Sequence, residues 1–139
     1  MSRDRVDRLQ SFFLDRPELG AASVYLFGSR SVGRHWDRLL GVAVLADPER
    51  HPDPVHRAEL VGRLAPELAH VAGESRLDLL VLNDASPLVA RKIVTEGRRV
   101  ISHDPTLDRA FLRDALVRAV DLEAFSRRPR RLRLETVSR

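Results

Sequence analysis

Residues 25–47 read YLFGSRSVGRHWDRLLGVAVLAD, and how this stretch folds decides the rest of the chain. The apolar run Val24-Tyr25-Leu26-Phe27 meets Gly28-Ser29-Arg30 and then Gly33, and a second apolar run follows from Gly41 to Leu45. That is strand, turn, strand. Glycine at the turn permits a positive φ and close approach of a backbone to a ligand, and Ser29 offers a hydroxyl where a helix could begin. Gly28, Ser29 and Arg30 are therefore candidate anion-binding residues, for instance toward a nucleotide phosphate. The same residues also suit a plain turn in which Ser29 caps the next segment.

Outward from this stretch the pattern is alternating helix and strand. Residues 2–16 place Val6, Leu9 and Phe13 on one helical stripe with Phe12 beside it, and Pro17 and Gly20 punctuate the end. Strands are expected at about 23–27 and 39–46. Pro48, Pro52 and Pro54 mark a loop, and a helix over about 54–70 comes next, with Val61, Leu64, Ala65 and Leu68 as its stripe and a kink expected at Pro66. Residues 76–82 form a third strand, apolar except for Asp78; an acid in such a run must be paired, solvated at an edge, or placed for chemistry. Ser86-Pro87 and Asp104-Pro105 each put a capping side chain before a proline at the first helical position, opening helices at 87–96 and 105–126 on either side of a short strand at 98–102. The last helix carries apolar residues around more than one stripe, as helices covered on more than one side do.

A chain of 139 residues suffices for one core, and 43% hydrophobic with 32% charged residues fits a globular protein. The charged beginning, MSRDRVDRL, is neither a secretory signal nor a membrane anchor, and no apolar run approaches the roughly 20 residues a bilayer crossing needs. No cysteine is present, so thiolate metal sites and disulfides are excluded and a cytoplasmic address is expected. Of the formal charge of +4, residues 127–139 carry +5 through six arginines and one glutamate, leaving the remainder at −1. The basicity belongs to the tail, which argues against a broad nucleic-acid-binding face and direct nucleic-acid binding. The five histidines show no paired spacing of the kind metal motifs use.

Leu26 to Gly33, taken with Leu77-Asp78-Leu79-Leu80-Val81-Leu82-Asn83 and Ile93 to Val100, resembles the minimal nucleotidyltransferase (MNT) family over nearly the whole chain. The resemblance implies the polymerase-beta-like nucleotidyltransferase fold, an α/β single domain with a small mixed sheet. Residues 1–104 would form the core, and residues 105–139 the C-terminal helix and basic tail of the same domain. Active members open the second strand with Ser-Asp-x-Asp, whose carboxylates hold Mg²⁺, and take a third aspartate from a later strand. Here those paired positions fall on Leu39 and Gly41, or on Leu40 and Val42 when counted from Gly28-Ser29. Neither register supplies a carboxylate, and only Asp78 stands where the family has its third acid. Asp37 would share a strand face with Leu39 and Gly41, but about two residues, roughly 6–7 Å, from the required place. One aspartate cannot satisfy the octahedral oxygen demand of Mg²⁺, so no catalytic residues, metal or cofactor are expected, with Asp37 and Asp78 as the weak metal candidates.

Many family members are antitoxins paired with HEPN-domain ribonucleases. The resemblance thus implies a HEPN toxin as partner in a hetero-oligomer, with this chain on the antitoxin side, since the toxin's Arg-to-His-x-Tyr segment is absent. An alternative is that the chain still transfers AMP from Mg·ATP to a toxin tyrosine; a second is a nucleotide- or RNA-binding regulator. The partner-binding candidates are Leu112, Leu116 and Phe125 on the last helix and Arg130, Arg131, Leu132, Arg133 and Leu134 in the tail, whose leucine–arginine alternation suits an added extended segment.

Overall fold

Strand β1 (Ala21–Gly28) is the axis of the computed structural model, which describes residues 3–28, 40–73 and 77–126, with side chains through Asp121. β1 pairs antiparallel with β2 (Leu40–Ala46) on one side and β4 (Arg98–Ser102) on the other, and β2 pairs parallel with β3 (Leu77–Val81), giving the order β3-β2-β1-β4. Four helices cover this mixed sheet: α1 (Arg3–Leu14), α2 (Pro54–Ala72), α3 (Pro87–Glu96) and α4 (Pro105–Ser126). It is the nucleotidyltransferase architecture that the sequence led us to expect, in one small domain.

Period-two alternation along β1 and β2 sorts the core into two layers. Val24, Leu26, Val42 and Val44 face α1 and α2, where Leu9, Phe13, Leu60, Leu64 and Leu68 are buried. Tyr25, Phe27, Ala43 and Leu45 face α3 and α4, meeting Ala90, Ile93, Phe111 and Ala115. With apolar residues needed on both faces, β1 and β2 read as continuous apolar runs rather than alternating ones.

The helix boundaries follow local chemistry. Asp53 and Ser86 accept hydrogen bonds from the His56 and Val89 amides, and each is followed by a proline that has no amide to satisfy. Asp104 accepts from Leu107 N–H at 3.1 Å in the same way, opening α4. The stripe of α2 is Leu60, Leu64, Leu68 and Ala72: Leu64 and Leu68 are as expected, whereas Val61 and Ala65 are only half-buried and Leu60 and Ala72 take their places. The helix runs through Pro66, which is exposed; the hydrogen bond it forfeits lies toward solvent, where water can replace it. The Asn83 side chain closes a two-point bond with Ala46, accepting from its N–H at 2.8 Å and donating to its carbonyl at 2.9 Å. That pins the turn after β3 to the end of β2.

α4 is fixed by a buried carboxylate. Asp108 is 2% exposed, accepts from the Tyr25 hydroxyl at 2.9 Å, and pairs with Arg99 Nη1 at 2.6 Å. Burial, and then the bond to Asp108, push the Tyr25 phenol up to about 12 from its ordinary 10.0. Asp108→Ala leaves a buried hydroxyl without its acceptor and is expected to cost about 2–3 kcal/mol in urea denaturation, with Asp108→Asn costing less. The sign for pH follows from the raised phenol: its contribution is complete below pH 10, and is lost as pH climbs from 10 to about 12. Tyr25 is the single tyrosine, so tyrosinate absorbance reads it directly, and Tyr25→Phe should flatten the fall in stability over that range.

Candidate functional site

At one end of the sheet β1 finishes while β2 and β3 begin. Gly28 pairs with Leu40, and Gly41 has Phe27 on one side and Asp78 on the other. Gly41 and Asp78 are in-register partners on parallel strands, so they share the face that looks toward α3 and α4. Leu40 and Val42 are on the opposite face, in the core beneath α1 and α2. A carboxylate at position 41 would therefore stand beside Asp78, and one at 40 or 42 would be driven into apolar packing. Leu39 and Asp37 lie outside the described residues.

The space a side chain would use at Gly41 is taken. A Cβ built there would stand 2.5 Å from Cζ and 2.6 Å from Cδ2 of the Phe27 ring, which is buried at 5% exposure. The glycine is required by sterics, because the ring lies against bare backbone. Asp78 is half-buried, with interactions of its own. Among the described residues no group of three or more His, Cys, Asp or Glu side chains converges as metal ligands would. Among the described residues, then, this end of the sheet offers an apolar ring over a glycine beside one carboxylate, where Mg²⁺ needs several hard oxygens.

Of the anion-binding candidates, Gly28 ends β1 with an exposed backbone, and the freedom expected of it is not used: only Gly20 and Gly73 have positive φ among the described residues. A Cβ at Gly28 would meet nothing within 4 Å. Ser29 and Arg30 lie outside the described residues. Two histidines hold backbone carbonyls: buried His51 has Nε2 2.8 Å from the Leu19 carbonyl, and exposed His103 has Nε2 3.0 Å from that of Phe13. His56 is drawn toward its charged form by the Asp53 carboxylate that caps the same helix.

On α4 the partner-binding candidates divide. Leu112 is half-buried, and Leu116 is exposed at 37%. The most exposed apolar side chains are Val117 and Val120, at 55% and 59%; Val117 was missed because the helix looked apolar almost all round, and only the burial of Ala115 and Ala119 shows which side is out. The side chain of Phe125 and the tail positions Arg130, Arg131, Leu132, Arg133 and Leu134 lie outside the described residues. Among the described residues no helix is long and apolar enough to cross a membrane.

The strand order, the helices on both faces and the aspartate at the start of β3 define a nucleotidyltransferase domain. The chain belongs to the polymerase beta nucleotidyltransferase family, whose model ("Polymerase beta, Nucleotidyltransferase") matches residues 8–106. No curated protein matches the sequence significantly. Among solved structures, the chain resembles one from a complex of tri-AMPylated Shewanella oneidensis HEPN toxin with MNT antitoxin, at 24% identity and a TM-score of 0.63, covering 100% of both chains. It resembles one from a toxin–antitoxin complex with AMP-PNP at 26% identity and a TM-score of 0.58, covering 96% of this chain and 98% of the other. A third, from an MntA toxin–antitoxin variant in which two aspartates two positions apart are changed to glutamate, shares 25% identity with a TM-score of 0.58 over 96% and 98%.

Inserting Asp at position 41 forces the Phe27 ring out of its place. Gly41→Asp is expected to destabilise the domain by about 1–3 kcal/mol in denaturant unfolding. Combining it with Phe27→Ala should cost less than the two single changes added together, because the collision is gone.

Proposed function

We propose that the chain is an antitoxin that binds and neutralises a HEPN-domain ribonuclease, and that it does so without transferring a nucleotide. The observation that carries the second half is the position beside Asp78, where a glycine lies under a phenylalanine ring instead of an acid. Phosphoryl-transfer catalysis is almost entirely positioning and charge stabilisation by metal ions, so a site with one carboxylate lacks the apparatus and not merely a part of it. The partner is supported by the solved relatives, which are toxin–antitoxin complexes. No cofactor is required in this reading.

Neutralisation then rests on binding. Leu116, Val117 and Val120 supply an outward apolar stripe on α4, with Leu112 at its half-buried margin. Large apolar side chains at an interface centre typically contribute ~1–3 kcal/mol each, whereas charges at the rim act mainly on association rate and salt dependence. The competing reading, AMP transfer from Mg·ATP to a toxin tyrosine, has its own support in the relatives that carry AMP-PNP or an AMPylated toxin.

The purified protein mixed with its cognate toxin and radiolabelled Mg·ATP or Mn·ATP is expected to leave the toxin unlabelled while still suppressing its ribonuclease activity. Metal-dependent labelling that disappears in Asp78→Ala would establish transfer instead. Val117→Asp with Val120→Asp should weaken the complex about tenfold or more in calorimetry with the free domain still folded. Unchanged affinity would move the interface off α4.

A further inference from the structure

The charges of α4 are handled in two ways. Asp108 is balanced by Arg99 at 2.6 Å, and Asp114 by Arg118 at 3.1 Å. Arg109 and Arg113 are exposed, and among the described residues no ion pair holds either. No acid stands three or four residues from either one; what stands there is the other arginine. Like charges at that spacing repel, so the helix itself gains nothing from the pair.

The pair is continuous with the apolar stripe. Arg109, Arg113, Leu116, Val117 and Val120 follow at spacings of three and four, so they lie along one side of the helix, and all five are exposed. Leu107 and Phe111 pack against the cluster that holds Ala90 and Ile93 of α3, which turns the arginine flank away from α3. Asp114 and Asp121, with Arg118 between them, form the other flank.

We propose that α4 receives a protein surface with carboxylates opposite Arg109 and Arg113, beside an apolar patch that covers Leu116, Val117 and Val120. The proposal deepens the toxin reading above and rests on it. Arg113 is one turn from Val117, about 5 Å along the axis, inside the screening length of ~8 Å at physiological salt. An acid at the rim of a patch docked over the valines is therefore attracted without being buried. Such rim charges raise the association rate and fix orientation more than they hold the complex. A partner turned the wrong way round would set its acids against Asp114 and Asp121, so the two flanks select one orientation. Nucleic acid suits this face poorly. A phosphate backbone has nothing to cover three aliphatic side chains, and among the described residues no exposed aromatic ring is there to stack a base.

Stopped-flow association of the full-length protein with its cognate toxin is the test. Arg109→Glu with Arg113→Glu should slow association about tenfold at low salt and flatten its salt dependence, while dissociation changes less than about twofold. Arg109→Lys with Arg113→Lys should keep the wild-type rate. Val117→Ser with Val120→Ser should do the reverse, speeding dissociation about tenfold and leaving association alone. All three variants change exposed side chains, so circular dichroism should show the wild-type fold. Wild type that binds, with a glutamate variant that associates as fast, would overturn this proposal alone. Wild type that binds at no salt concentration would overturn the antitoxin reading and this one with it. A labelled single-stranded RNA held by wild type and released by the glutamate variant would assign the arginines to nucleic acid instead. A dimer of the chain alone, dissolved by the serine variant, would give the stripe to a second copy.

Discussion

A carboxylate with almost no exposed surface settles how the C-terminal helix lies on the sheet. Asp108 takes a hydroxyl hydrogen from Tyr25 on β1 and a guanidinium from Arg99 on β4. Burying an ion without partners costs several kcal/mol, more than any single apolar contact along α4 could return. Only one rotation and one axial position of the helix bring Asp108 to both partners, since a slide of one turn moves it by about 5.4 Å. The apolar residues of α4 could pack in several ways, and the acid chooses among them. Its choice puts Phe111 and Ala115 inward and leaves Leu116, Val117 and Val120 outside. A single buried charge thus decides which side of the helix is available to a partner.

At the other end of the sheet the constraint is steric: the Phe27 ring fills the space a side chain at position 41 would use. Two carboxylates on neighbouring strands repel each other unless a cation sits between them, so an active site of this kind is held together by its metal. With glycine at position 41 there is one acid and no repulsion, and the Phe27 ring occupies the space a second acid would need. The arrangement is hard to undo by one substitution, since the ring has to leave before a carboxylate can enter.

Much of this was legible in the sequence. The two caps followed by proline gave the starts of α3 and α4 because each depends on three or four adjacent residues. The apolar runs gave β1, β2 and β3. Phase was harder. The α2 stripe is read one residue off when Val61 is preferred to Leu60, because two apolar neighbours satisfy a helical period equally well and only the facing strand decides between them. The pairing of Asp108 with Tyr25 and Arg99 joins residues up to 83 positions apart, and nothing local announces it. At the end of the sheet Gly41 was legible as a glycine, whereas the ring lying over it was not, because Phe27 looked like one more core residue of its strand.

The unlike edges of the sheet extend the argument from packing to assembly. A sheet grows only where backbone groups are offered beside a tolerable surface. On the β4 side the approach is closed by Gln10 and by two arginines, so a fifth strand would have to displace a hydrogen bond and bring its own charges. On the β3 side it would meet half-buried leucines and, beside Leu79 and Leu80, a cavity.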